Sequence, residues 1–269
     1  MSQKIGALSI AALLLSLNAC SGNQGTGQVP LPNGIQNASN PVVNRPAFAR
    51  TRPNVSPYTY VESKPGITAE ATCPTGDVVL GGGFDNVSQT KSTTESHYDD
   101  NHTAWVSSNP YSVYSYAICA DKDAVQTQYL SASWTTGEVG TVQCNGSSYG
   151  FSGGGFKFTA GKVAMSFPDA YWLWAVESDA DFNSAGTVYG ICTQGGHTAY
   201  TYVSSSPSAD AVANCPSGDV VVGGGFVESN PIDQSAVIYR SHYYNSQQSW
   251  RASISSNTVT AYAVCASGS

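Results

Sequence analysis

The spacing of six cysteines restricts this chain more than any other feature. Cys73, Cys144 and Cys215 stand 71 residues apart, and Cys119, Cys192 and Cys265 follow them by 46, 48 and 50 residues. Six cysteines allow fifteen pairings, as a matter of counting. Their positions favour bonds within each repeat: Cys73 with Cys119, Cys144 with Cys192, and Cys215 with Cys265. Each bond would close a long loop and contribute about 4 kcal/mol in the chain-entropy account. Disulfides persist in oxidising compartments, so export from the cytoplasm is expected.

The period extends to the residues around the cysteines. The first members open CPTGDVVLGGGF (Cys73 to Phe84), CNGSSYGFSGGGF (Cys144 to Phe156) and CPSGDVVVGGGF (Cys215 to Phe226). A variable segment follows, then a tryptophan (Trp105, Trp174, Trp250), then YAIC, YGIC or YAVC. Tyr58, Tyr129 and Tyr200 keep the same spacing of 71 and are expected to be equivalent. Three repeats, at about 58–126, 127–197 and 198–269, therefore fill a domain spanning 58–269. Three copies in one chain must build the same local structure, so shared residues read as structural. Residues found in a single copy are the better candidates for a site.

Segments such as YTYVES, DVVLGGGF, TAWVSS and YSYAICA are short, rich in β-branched and aromatic residues, and bounded by Gly, Pro, Asn and Ser. No helical apolar periodicity follows residue 20. The fold class is all-β, with four to six strands per repeat. In Cys-Pro-x-Gly-Asp, proline and glycine make a turn before the strand starts. The glycine triplet permits a bend or close approach between strands of different sheets. A phosphate-binding loop would need a helix after the glycines and a lysine at the right offset, and neither is present.

CPxGxxVxGGGF, the tryptophan and the closing Tyr-Ala-Ile-Cys resemble a module of secreted bacterial proteins. More distantly, three such units resemble the β-prism of vitelline-membrane outer-layer proteins and jacalin-like lectins, in which three sheets pack around a pseudo-threefold axis. The resemblance covers about residues 58 to 269 and implies a β-prism-like arrangement of pseudo-symmetric repeats, with another three-repeat β assembly as the alternative. The sugar-binding signature of jacalin-like lectins has no match here, so the resemblance implies a fold and not an inherited site.

The N-terminal stretch MSQKIGALSIAALLLSLNAC has one lysine and then a short apolar run, the layout of an export signal over 1–19. LNAC resembles the bacterial lipoprotein box, which implies lipidation of Cys20 and an anchor in the outer membrane or at the cell surface. Residues 20–57 are expected to be a flexible tether, since residues 21–57 hold six of the thirteen prolines, three arginines and no acid. Of eleven Lys and Arg, Lys4, Arg45, Arg50 and Arg52 precede residue 58, leaving seven against eighteen Asp and Glu, a formal charge of −11 for the domain. That sign argues against a nucleic-acid partner.

The segment between GGGF and the tryptophan is 20, 17 and 23 residues long in the three repeats, so this is where binding is expected. In the second repeat it ends FPDAYWLWAV. Read as a strand, Trp172 and Trp174 share a side. Trp174 is the shared core residue, whereas Trp172, Tyr171 and Trp134 are particular to this repeat and could stack on a sugar ring. Ser96–His97 and Ser241–His242 are adjacent on strands and so point to opposite faces, which speaks against a nucleophile–base pair. Ser166 is read as the counterpart of these histidines. Asp179, Asp181 and Asn183 alternate like calcium ligands but lack the turn glycine and the distal glutamate. No cofactor, metal or catalytic residue is expected. The reading is a lipid-anchored surface binding or structural module for an extracellular glycan or protein, not an enzyme. The alternatives are a secreted polymer hydrolase and an architectural envelope protein without a ligand.

Overall fold

The computed structural model describes residues 57–135, 138–158, 161–178, 184–231 and 235–267. The export signal, Cys20 and nearly all of the tether lie outside the described residues, as do Asp179, Asp181 and Asn183. The chain is all-β. The first repeat supplies β1 (Tyr58–Glu62), β2 (Gly66–Thr72), β3 (Asp77–Asn86), β4 (Glu95–Tyr98) and β5 (Ala104–Asp121). The second supplies β6 (Thr127–Trp134), β7 (Gly140–Gln143), β8 (Tyr149–Phe158), β9 (Val163–Ala170), β10 (Leu173–Ser178) and β11 (Gly186–Gln194). A helical turn, α1 (Gly196–Ala199), leads to β12 (Tyr200–Ser204), β13 (Asp210–Asn214), β14 (Asp219–Glu228), β15 (Ile238–Tyr244), β16 (Ser249–Ile254) and β17 (Val259–Ser267).

These strands form two antiparallel sheets. One has eleven strands in the order β13-β16-β15-β3-β5-β4-β8-β11-β6, with β1 and β2 also paired to β5; the other runs β12-β17-β14-β9-β10-β7. β5 belongs to two groups of strands: Ala104–Ser108 pairs with β2 and β4, whereas Val113–Asp121 pairs with β1 and β3, apart from Gly66 of β2 opposite Val113.

Each GGGF strand pairs along the strand that closes its own repeat, β3 with β5, β8 with β11 and β14 with β17. The disulfides join Cys73 to Cys119, Cys144 to Cys192 and Cys215 to Cys265, as the spacing predicts, and tie the start of each repeat to its last strand. The pairing slips just before each triplet, between Val79 and Gly81, Phe151 and Gly153, and Val221 and Gly223. A β-bulge bends a strand and frees backbone groups from the ladder. Here the carbonyls of Val221, Val79 and Phe151 accept hydrogen bonds from the hydroxyls of Tyr60, Tyr129 and Tyr202, at 2.7, 2.8 and 2.9 Å. Each tyrosine comes from a different repeat than its acceptor.

That set corrects the expected tyrosine alignment. Tyr60, Tyr129 and Tyr202 lie opposite Ile118, Ile191 and Val264, each one residue before the closing cysteine of its repeat. Tyr129 is therefore the counterpart of Tyr60 and Tyr202, not of Tyr58 and Tyr200. A two-residue offset in the second repeat creates the misleading spacing.

The triplet glycines have three separate jobs. The first ones meet across repeats: a side chain on Gly81 would overlap the backbone of Val222–Gly223, one on Gly223 that of Ser152–Gly153, and one on Gly153 that of Leu80–Gly81. The second ones, Gly82, Gly154 and Gly224, lie against the indoles of Trp105, Trp174 and Trp250. The third ones, Gly83, Gly155 and Gly225, lie against Ser241, Ser96 and Ser166 on neighbouring repeats. The phenylalanines that follow meet one another edge to face: Phe84–Phe156 at 6.1 Å, Phe84–Phe226 at 6.2 Å and Phe156–Phe226 at 6.4 Å between ring centres. Such geometry suits the ring quadrupoles.

The three indoles are fully buried, and each Nε1–H donates to a serine hydroxyl: Trp105 to Ser96 at 2.9 Å, Trp174 to Ser166 at 3.2 Å and Trp250 to Ser241 at 2.9 Å. Ser166 is thus the counterpart of Ser96 and Ser241, and Phe167, not Ser166, stands where the other repeats have histidine. The space left among these glycines, phenylalanines and indoles is about 10 Å³, barely the room one water needs. Nothing larger can bind there.

A methyl group at Gly223 would meet backbone on the neighbouring repeat, which no rotamer change relieves. Gly223→Ala is expected to cost at least about 3 kcal/mol or to abolish cooperative folding. Gly218 has φ +87° but open space around a Cβ, and Gly218→Ala should cost roughly 1 kcal/mol. Urea unfolding of both variants is the measurement; equal losses would refute the close-approach account.

Candidate functional site

Three equivalent hairpin turns emerge beside the disulfides, one per repeat, and they differ in sequence. Backbone hydrogen bonds align them. The N–H groups of Cys73, Cys144 and Cys215 donate to the carbonyls of Thr103, Trp172 and Gln248, at 2.8, 3.0 and 2.8 Å. Those of Val79, Phe151 and Val221 donate to His102, Tyr171 and Gln247, at 3.0, 3.0 and 2.9 Å. His102, Tyr171 and Gln247 therefore hold one structural position, as do Thr103, Trp172 and Gln248. The shared scaffold presents a different surface at each.

In the second repeat the turn between β9 and β10 is Tyr171–Trp172, whose backbone is pinned by the bonds just given. Both side chains stay outside, 44% and 39% exposed. Trp174 is fully buried, so the expectation that Trp172 shares its side of a strand is corrected: the strand begins only at Leu173, and the turn redirects Trp172 outward. Trp134, the third expected stacking residue, lies in the core. Its ring packs edge-on to Phe158 at 5.3 Å and against Gly140 and Gly186, and its Nε1–H is buried without a hydrogen-bond partner. Trp134 therefore presents no face to a ligand. The lack of a side chain at Gly140 and Gly186 leaves the room that this indole occupies.

In the first repeat the turn packs onto the second repeat. The His102 ring stacks on Tyr129 at 3.7 Å and meets Tyr98 edge-on at 5.3 Å. Asp99 spends its carboxylate on the turn, accepting the N–H groups of Thr103 at 2.7 Å and Ala104 at 2.8 Å. Among the described residues, no group of three or more His, Cys, Asp or Glu is arranged to hold a metal.

In the third repeat the turn between Tyr244 and Ser249 takes a different backbone form. Asn245, Ser246 and Gln247 are consecutive left-handed residues, with φ of 52°, 53° and 69°. A concavity of about 280 Å³ opens beside them, lined by Glu62, Tyr116, His242, Tyr243, Tyr244 and this turn. None of these residues was singled out from the sequence as a ligand contact. The third repeat has the longest variable segment, at 23 residues, but its extra length lies before Ser241, since Ser241 precedes Trp250 by the same nine residues as Ser96 precedes Trp105.

A cross-repeat ring pair sits near each turn. His97 stacks on Tyr189 and His242 on Tyr116, both at 4.1 Å, and Phe167 meets Tyr262 at 4.9 Å. In each case the tyrosine belongs to the closing Tyr-x-x-Cys of the adjacent repeat. Ser96 and His97 do point to opposite sides of β4: the hydroxyl accepts from Trp105 in the core, while the imidazole stacks on Tyr189. His97 Nε2 lies 2.9 Å from Glu95, whose other carboxylate oxygen is 3.4 Å from Lys157. The hydrogen bond with His97 holds the Glu95 carboxyl below the usual range despite burial.

His242 behaves differently. Its Nδ1 is 2.6 Å from the Tyr243 carbonyl and must donate to it, while Nε2 is buried without a hydrogen-bond partner. Asp85 Oδ2 lies 3.7 Å from Nε2, but it already accepts from Arg240 at 2.9 Å. Burial, assisted by the charges of Arg240 and Arg251, outweighs the hydrogen bond to the Tyr243 carbonyl and pushes His242 down from 6.5 to about 4. Burial also raises Tyr116, assisted by the charges of Glu62 and Asp85, and pushes Tyr243 up to about 12, assisted by Glu62.

No protein-family model and no curated protein matches this chain.

Because the folded state disfavours protonated His242, the unfolded chain binds one more proton between about pH 6.5 and 4. Stability is present above that window and falls as pH drops through it, by about 3 kcal/mol from this group. His242→Phe, which copies the ring at Phe167, should remove that share of the acid destabilisation. Thermal melts of both proteins across the window test this, and parallel pH profiles would contradict it.

Proposed function

We propose that this chain is an exported, lipid-anchored surface binding module whose ligand is an extracellular carbohydrate. The observation that carries the reading is the Tyr171–Trp172 turn: two adjacent, exposed aromatic rings on a backbone held by hydrogen bonds on both sides. Rings fixed in this way lose little freedom when a sugar stacks on them. The chain as a whole is poor in charge, with 11% charged residues, which suits a neutral, hydroxyl-rich ligand.

The body is proposed to be a β-prism-like assembly of three repeats over 58–269. What supports this is the pairing pattern, in which the strands divide into three groups of six once β5 is counted in both of its groups. Each group takes strands from two repeats, joined by β15 with β3, β4 with β8, or β9 with β14. The cyclic contacts of the first glycines and the three phenylalanines support it further. Lipidation at Cys20 and an outer-membrane or cell-surface location rest on the N-terminal sequence, and the disulfides are compatible with export.

A pull-down on insoluble polysaccharides and a glycan array test the ligand class. Trp172→Ala should lower glycan binding about tenfold or more without moving the unfolding midpoint, because the side chain is exposed. Absence of binding to any glycan would sink the carbohydrate reading. Cys20→Ser should shift the protein from the membrane fraction to the soluble fraction; retention in the membrane would argue against the anchor.

A further inference from the structure

We propose that the concavity beside the β15–β16 turn is a receptor for an organic ammonium group, separate from the Tyr171–Trp172 surface and independent of the carbohydrate reading. The hollow has about 280 Å³ and is walled by three phenol rings, Tyr116, Tyr243 and Tyr244, with Glu62 at its side. Tyr116 and Tyr243 meet edge to face at 5.4 Å and 88°, forming a corner. A ring face carries the negative end of its quadrupole, and a cation placed over it within about 6 Å is attracted. Several phenols and one carboxylate around a small hollow are the combination that recognises ammonium cations.

The charge inventory points the same way. Two arginines come near, and each is already neutralised. Arg240 Nε donates to Asp85 at 2.9 Å. Arg251 makes a bidentate pair with Asp210, and its guanidinium lies 4.8 Å from the centre of the Tyr244 ring. The chain thus already uses a phenol of this hollow to hold a cation. His242 is neutral above about pH 4. Glu62 has no ion-pair partner among the described residues, and its charge acts on both Tyr116 and Tyr243. One uncompensated negative charge therefore faces a neutral aromatic corner.

The first repeat builds the same corner from Tyr98 and Tyr189, at 5.3 Å and 88°, with a second corner next to it. There Tyr98 and Tyr129 meet at 5.1 Å and 68°, and the chain fills the corner with the His102 ring. In the third repeat Tyr60 and Tyr243 meet at 5.0 Å and 69°, nearly the same geometry, but the position of His102 is held by Gln247. No ring is supplied, and the hollow opens beside it. Its rim is kept in place by three consecutive non-glycine residues in the left-handed region, a conformation that side chains disfavour and that recurs at ligand clamps. The volume is enough for one trimethylammonium head, or one sugar ring with a protonated amine.

The experiment titrates the exported chain, at low ionic strength, with choline and with glucosamine. Each is compared with its uncharged counterpart, 3,3-dimethylbutan-1-ol and glucose respectively, and Tyr and His side-chain NMR shifts are read. At least one cation should saturate and bind about tenfold more tightly than its neutral counterpart. Preference for choline assigns a quaternary headgroup as the source, and preference for glucosamine an amine-bearing sugar. Glu62→Gln should weaken the cation about tenfold, and Tyr244→Leu should weaken it severalfold. Glu70→Gln, at an exposed carboxylate elsewhere, and Trp172→Ala should leave it unchanged. Equal binding of charged and neutral members would overturn the proposal. So would no saturation by either cation, or unaltered affinity in a folded Glu62→Gln protein. Loss of glycan binding in Trp172→Ala with ammonium binding intact would show the two surfaces to be separate.

Discussion

Backbone meeting backbone at Gly81, Gly153 and Gly223 is the contact on which the rest of this structure depends. Each of these glycines lies where a single methyl group would overlap the chain of another repeat. That proximity brings Phe84, Phe156 and Phe226 within ring contact of one another. It also sets the short ladders by which β3, β8 and β14 pair with strands of neighbouring repeats. The preceding bulges release the carbonyls that Tyr60, Tyr129 and Tyr202 then capture. Packing, hydrogen bonding and strand pairing between repeats therefore share one steric cause, and none of them is a contact a single repeat could make alone.

The same arrangement explains how a repetitive chain acquires unlike surfaces. The disulfides, the Trp–Ser hydrogen bonds and the glycine contacts recur in every repeat, so the three turns beside the cysteines emerge from equivalent supports. What each turn carries is then free to vary. His102 stacks on Tyr129 of the second repeat, Tyr171 and Trp172 point outward, and the Asn245–Gln247 turn borders a hollow. The ring pairs nearby vary less, since His97, His242 and Phe167 all present a flat ring to the tyrosine of a neighbouring repeat. Flatness is shared at these positions, whereas charge is not.

Much of this was legible before any coordinates. Cysteine spacing gave the three disulfides, because loops of nearly equal length in equivalent repeats leave one economical pairing. The β-rich composition and the Cys-Pro-x-Gly turns gave the fold class. Local reasoning failed where a one- or two-residue offset mattered. Tyr129 kept a spacing of 71 from Tyr58 and Tyr200 yet sits opposite Ile191, in register with Tyr60 and Tyr202. Ser166 resembled a substituted histidine but is the tryptophan's hydrogen-bond acceptor. A period-2 reading put Trp172 beside Trp174, and a turn put it outside.

The sequence by itself determined the covalent frame, the all-β class and the places where side chains had to be absent, since these follow from spacing, propensity and the lack of a Cβ. Only the tertiary structure decided what the glycines approach, which aromatic residues are core and which are surface, and that Glu62 shares a hollow with His242 and Tyr244. The physical reason is distance along the chain. Glu62 and His242 lie at opposite ends of the repeat series and are brought together by the pairing of β15 with β3, an association between repeats that no local pattern encodes.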